Sequence, residues 1–289
     1  MHCCLRGTVV QARSLPARGW SLLASALVLS FVSACSGLRN PSFPITVEEA
    51  DVELAEMEAS PRPLARPLVI VGGFADPGWA SGAIRDAVAP CFSNDPIVTF
   101  ETFDAESFDQ ARRQLVDLVM ASYPDPGGDP MVTAEVDVIG NSMGGLVALY
   151  ASEPRPGEPR LRTVRLFTIG TPFMGSVVAD MAPINGLVRD MQGGSPFLLH
   201  IHELVRGSGV TIVPYVRHDD AIVGAANAAP PGTTVWWVPG EFMASGHLTT
   251  FNDRRILADV VRRLRDEPGY TREPPTPLPE IGDPSAGGA

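Results

Sequence analysis

One serine in this chain sits where a nucleophile is made. Residues 136–149 read VDVIGNSMGGLVAL: the apolar run Val136-Asp137-Val138-Ile139 stops at Gly140-Asn141-Ser142-Met143-Gly144, and an apolar helical pattern follows at once. The order is strand, sharp turn, helix, with Ser142 at the tip of the turn. A serine so placed is held in a strained backbone conformation. The glycines two residues to either side have no Cβ, so neighbouring backbone can pass close by. The turn pushes the hydroxyl outward and leaves the first amides of the following helix unpaired, which suits a developing oxyanion. Chemistry at such a serine needs a base, an acid to orient it, and two amides for the negative charge. Beyond the first 35 residues the histidines are His200, His202, His218 and His247. His200 and His202 are two apart, so on a helix they face different ways and make a poor metal pair.

Composition removes several other chemistries. All 22 basic residues are arginine. Without lysine there is no P-loop, no Schiff base and no Ser-x-x-Lys acylation site. Neither C-x-x-C nor H-E-x-x-H occurs, so no metal is expected. A net charge of −11 argues against a nucleic-acid partner, because nothing neutralises phosphates.

The turn resembles the G-x-S-x-G nucleophile elbow of the alpha/beta-hydrolase lipases and esterases. That resemblance implies an order of nucleophile, acid, histidine along the chain. It places the base at His247, in the Gly-His pair between the last strand and last helix. It places the acid at Asp220, since Asp220-Ala221-Ile222-Val223 matches D-x-[IV]-V; Asp219 serves instead if the loop is shifted by one. The implied oxyanion amides are those of Met143, after the nucleophile, and Phe74, in the loop after the first strand. That loop departs from the family pattern, with Gly72-Gly73 where small bacterial lipases usually have His-Gly. Residues 168–176 (TIGTPFMGS) resemble the lipase segment that follows the elbow helix and shapes the acyl pocket. The resemblance spans residues 68–264 and implies a serine hydrolase acting on acyl-ester or lipid substrates, without a cofactor. An acyltransferase runs on the same residues. The reading from another class is a non-catalytic lipoprotein that binds lipids or a partner.

The elements around these residues alternate. Leu68-Val69-Ile70-Val71 is a short continuous apolar run of the kind a two-sided parallel sheet buries. Residues 95–100, 164–169, 210–216 and 234–238 read as further strands, 108–120 and 247–264 as helices. The pattern predicts an α/β fold: an alpha/beta-hydrolase with a mostly parallel central sheet, helices on both faces and a lid-like insertion. Residues 67–265 form this domain. Within it, 173–206 is an apolar insertion whose methionines and leucines suit a lid or acyl-binding surface, or simply pack onto the core.

The flanks read differently. Residues 1–34 carry arginines without acids, then an apolar stretch, then Val32-Ser33-Ala34-Cys35, the pattern of a secretory signal. The segment resembles a bacterial lipobox, which implies cleavage before Cys35 and lipidation of its thiol. The expectation is an exported, membrane-anchored lipoprotein on the periplasmic or cell-surface side. Residues 35–66 read as an acidic, Pro-rich tether and 266–289 as a disordered Pro/Gly-rich tail.

Overall fold

The computed structural model describes residues 38–94, 96–240 and 246–279. The signal segment, Cys35 and residues 280–289 lie outside the described residues.

Six parallel strands form one sheet: β1 (Leu68–Val71), β2 (Ile97–Phe100), β3 (Val132–Asn141), β4 (Arg160–Ile169), β5 (Thr211–Arg217) and β6 (Trp236–Val238). Their spatial order is β2-β1-β3-β4-β5-β6, and every neighbouring pair is parallel. Parallel strands are covered on both faces, which is why β1 is apolar at all four positions and wholly buried. Alternate residues serve opposite faces. Leu68 and Ile70 join one core, Val69 and Val71 the other.

On the first face lie α1 (Val47–Ala59), α2 (Trp79–Val88) and α9 (Arg254–Leu264), packing Leu54, Ile84 and Val260 under Ile70 and Ile139. On the second lie α3 (Phe108–Ser122), α4 (Met143–Ala151) and α7 (Pro196–Gly207), with Leu115, Leu146 and Ile201 against Val138 and Leu166. All nine residues of α4 are buried. A helix apolar all round belongs in the interior, and this one holds Ser142 at its head. The strand order reverses between β1 and β3. Their neighbouring C-terminal ends are therefore a switch point, where open α/β sheets bind ligands.

The flanks are more ordered than the tether-and-tail reading expects. Residues 38–66 pack onto the fold: Thr46 and Glu49 close a capping box at the head of α1, and Phe43, Ile45, Ala50, Leu54, Met57 and Leu64 are buried. Ala50, Leu54 and Met57 recur at i, i+4 and i+7, so one face of the acidic helix is apolar. Residues 266–279 also lie on the fold. Trp237 Nε1 donates to the Thr276 carbonyl at 2.8 Å, the Thr276 amide donates to Ser42 Oγ at 2.7 Å, and Asp259 Oδ1 accepts the amides of Tyr270 and Thr271. Backbone bonds to buried side chains hold this segment, in place of an apolar stripe.

Two further expectations change. The span 247–264 is two helices, α8 (Gly246–Thr250) and α9, separated where Asp253 caps α9 by accepting the Arg255 amide at 3.1 Å. The insertion 173–206 holds α5 (Val177–Met181), α6 (Gly186–Asp190) and α7. Of these, α7 is core: Leu198 and Ile201 are buried, and the Phe197 ring stacks on Phe108 with centroids 3.9 Å apart. The stretch around α5 leaves Val177, Val178, Met181 and Ile184 exposed, and the outer face of α7 leaves Leu199 exposed. No helix among the described residues is long and apolar enough to cross a membrane.

Candidate active site

Ser142 follows β3 directly and has φ 50° and ψ −125°, a conformation that side-chain-bearing residues rarely adopt. The strain is held by its neighbours. The Ser142 amide donates to the Ile169 carbonyl at 2.8 Å, and its own carbonyl accepts from Thr171 Oγ1 at 2.8 Å and from the Gly145 amide at 3.2 Å. The flanking glycines are required by space: a Cβ on Gly144 would run into the carbonyls of Val71 and Gly72, and one on Gly140 would lie 2.6 Å from the Gly145 nitrogen.

Two other strand ends meet the serine. Asp220 lies in the loop after β5 and His247 at the head of α8. His247 Nδ1 is 2.7 Å from Asp220 Oδ2, and His247 Nε2 is 3.0 Å from Ser142 Oγ. A carboxylate only accepts, so Nδ1 carries the proton; Nε2 is then free to accept from the serine hydroxyl. The Asp220 side chain is fully buried. Its other oxygen, Oδ1, accepts the amides of Ile222 at 3.1 Å and Val223 at 2.9 Å. These two bonds explain the D-x-[IV]-V spacing, since the amides two and three residues on anchor the carboxylate that holds the imidazole.

Of the two adjacent aspartates, then, Asp220 reaches His247. Asp219 turns the other way and forms a two-pronged pair with Arg217, at 3.0 Å to Nε and 2.9 Å to Nη2.

Phe74 and Met143 flank the serine from the β1 loop and the start of α4. Among the described residues neither amide donates to a protein acceptor, which leaves both for an oxyanion. The β1 loop is built without the histidine of the resembling lipases. Asp76 folds back under it, accepting the amides of Gly78 and Ala80 at 3.1 Å each and of Ser81 at 3.0 Å. Thr102 Oγ1 donates to the Gly73 carbonyl. A Cβ on Gly72 would fall 2.9 Å from Asp76 Cβ, so the Asp76 side chain occupies the space that any residue larger than glycine needs. Asp76 and Thr102 escape sequence reasoning. The signal that was present is an acid a few residues ahead of an amphipathic helix.

The TIGTPFMGS segment contributes Thr171 to the elbow, and Ser176 Oγ donates to the Ile222 carbonyl at 2.8 Å. That bond ties the pocket wall to the loop carrying Asp220. His202 Nε2 is 2.7 Å from the Phe173 carbonyl, while His200 pairs with Glu153 at 2.8 Å. Neither approaches Ser142.

Ser142 and His247 open into a cavity of about 760 Å³, lined by Phe74, Trp79, Phe103, Ile184, Met191 and Leu248 among others. That volume and apolar lining are typical of a small-molecule site. Its rim is unusually apolar for a surface: Trp79 is 82% exposed, Ile184 76% and the neighbouring Met181 80%.

No protein-family model and no curated protein sequence matches the chain. Solved structures do. Phospholipase PlaB from Legionella pneumophila superposes with a TM-score of 0.51 at 10% identity, covering 70% of this chain and 60% of that one. The mature lipase BlEst2 of Bacillus licheniformis gives 0.47 at 14% identity over 66% and 89% of the two chains. A putative hydrolase from Agrobacterium vitis S4 gives 0.45 at 15% identity over 70% and 90%. The chain spans about 60% of the length of the phospholipase. The all-parallel six-stranded sheet with helices on both faces is the alpha/beta-hydrolase fold.

Proposed function

We propose that this alpha/beta-hydrolase-fold protein is a serine hydrolase cleaving carboxylic esters with apolar acyl groups. The observation that carries the reading is the hydrogen-bonded line Asp220–His247–Ser142 opening onto an apolar cavity. The fold alone supports many activities; this arrangement of proton acceptor, hydroxyl and pocket is what favours ester cleavage.

Ser142 Oγ attacks the ester carbonyl carbon while His247 Nε2 takes its proton. Negative charge collects on the former carbonyl oxygen, between the amides of Phe74 and Met143. Each such donor is worth about 3–4 kcal/mol in related chemistry. Asp220 stabilises the imidazolium and keeps Nδ1 as the donor. The carbon–oxygen bond to the alcohol then breaks, and His247 returns the proton to the leaving alkoxide. Water, deprotonated by the same imidazole, attacks the acyl-serine and releases the acid.

Turnover of a soluble p-nitrophenyl ester tests this. Ser142→Ala and His247→Ala each lower kcat by about 10⁴-fold or more if they act as one unit. A wild-type protein without hydrolysis defeats the reading. Full activity in Ser142→Ala defeats the nucleophile assignment.

Export and lipid attachment at Cys35 belong to the same proposal and rest on the signal pattern alone. Growth with labelled palmitate should tag the wild type and leave Cys35→Ala unlabelled. Equal labelling of both would remove the anchor.

A further inference from the structure

Arg217, Asp219 and Thr249 sit beside the site. Arg217 is the last residue of β5 and is buried, 1% exposed. A buried guanidinium is held at large cost unless its donors are satisfied in fixed geometry. Here Nε and Nη2 grip both oxygens of Asp219, while Nη1 donates to Thr249 Oγ1 at 2.9 Å. Asp219 immediately precedes Asp220. Thr249 lies on α8, two residues beyond His247. Asp219 is also wedged against backbone: a Cβ on Gly240 would lie 2.7 Å from Asp219 Cβ, and one on Gly246 would lie 2.7 Å from Asp219 Oδ1. Gly246 is the residue just before His247.

We propose that Asp219 is a positioning residue: with Arg217 it clamps the loop presenting Asp220 to the helix presenting His247. The inference rests on the serine-hydrolase reading above. Each end of the imidazole is held by a different element, Asp220 after β5 and Ser142 after β3. Nothing in either hydrogen bond fixes the start of α8 itself. The fork from Arg217 does, because it reaches the acid loop through Asp219 and α8 through Thr249. A two-pronged guanidinium–carboxylate pair fixes angle as well as distance. The absence of a Cβ at Gly240 and Gly246 lets Asp219 pack directly against both residues.

The test uses the whole protein. Asp219→Asn keeps the shape and removes the charge. Thr249→Val removes only the hydroxyl, and Thr249→Ser restores it. Active sites are titrated with a fluorophosphonate so that kcat is counted per competent serine, and KM is measured on the same soluble ester. Asp219→Asn is expected to lower kcat on the order of tenfold, below the hundredfold that a 1 Å misplacement of reacting groups can cost. Thr249→Val should lose about threefold and Thr249→Ser should recover it, with KM within about twofold throughout. A purely structural role would lower the melting temperature and the number of titrated sites while leaving kcat per site intact. That result overturns the proposal. The His247 Nδ1 proton gives a second readout by NMR: broadened or lost in Asp219→Asn supports the clamp, and unchanged refutes it. This signal is independent of turnover, so an inactive wild type would defeat the hydrolase reading and still leave the clamp decided.

Discussion

Replacing Asp220 by asparagine separates the roles of the two adjacent aspartates. The amide is isosteric, but its two ends are no longer equivalent. The site of Oδ1 faces two donors, the amides of Ile222 and Val223, and therefore selects the amide oxygen. The nitrogen then faces His247 Nδ1, where it can only donate. Nδ1 becomes the acceptor, the proton moves to Nε2, and Nε2 can no longer accept from Ser142. Turning the amide over restores the productive tautomer but leaves two buried N–H groups unpaired. At about 1–3 kcal/mol each, the flipped form is disfavoured by roughly 2–6 kcal/mol, since every 1.36 kcal/mol is tenfold. Between a few per cent and about 10⁻⁴ of the enzyme is then competent. With the lost charge beside the imidazolium added, kcat falls by about 10²- to 10⁴-fold, in line with the tautomer effect on such triads. The assay is ester hydrolysis per titrated site, with Asp219→Asn measured alongside. A loss in Asp219→Asn as large as that in Asp220→Asn would refute the reasoning, as would less than tenfold in Asp220→Asn.

Other expectations follow from packing and burial. Gly144→Ala pushes a methyl into the carbonyls of Val71 and Gly72 and should cost about 1–3 kcal/mol in urea unfolding, the usual price of overpacking; an unchanged midpoint would contradict the elbow geometry. Trp79→Ala and Ile184→Ser trim the exposed rim. Each should lower kcat/KM for long-chain esters about tenfold relative to short-chain ones, within the range for apolar pocket contacts, and equal effects on both would detach the rim from acyl binding. Burial pushes the Cys91 thiol up to about 11, so in the folded protein Cys91 should resist iodoacetamide at pH 8 and react only after unfolding, as read on the peptide that contains it. Rapid labelling of that peptide in the native protein would show that Cys91 is not held in the interior.

Much of the centre of this molecule was legible from residues 68–264. Parallel strands buried on both faces read as continuous apolar runs, and the elbow combines such a run with glycines at the two positions where a Cβ has no room. The sequence pattern leaves two adjacent aspartates as candidates for the acid. Asp219 and Asp220 differ in which way the turn points them, and that depends on amides two and three residues on together with Arg217. The flanks depart from the sequence pattern for a different reason. In α1 three apolar residues are spread among acids, so the helix looks solvated although one side is buried. Residues 266–279 are held by their backbone on Asp259 and Ser42, contacts that leave no periodic trace. Asp76 and Thr102 leave little trace in the sequence because they shape the loop after β1 from 26 residues apart. His247 lies at the head of a helix that stops at Thr250, and Asp253 starts a separate one; a capping aspartate within an otherwise helical pattern leaves the break hard to see.

The most direct test of the central claim is to trap the acyl-enzyme. The protein is mixed with a slowly deacylating p-nitrophenyl ester, quenched in acid within the first turnover and digested for mass spectrometry. A covalent mechanism at Ser142 gives one added acyl group, on the peptide containing Ser142, absent in Ser142→Ala and formed far more slowly in His247→Ala. An acyl group on any other residue, or hydrolysis proceeding with no acyl adduct at all, would contradict it.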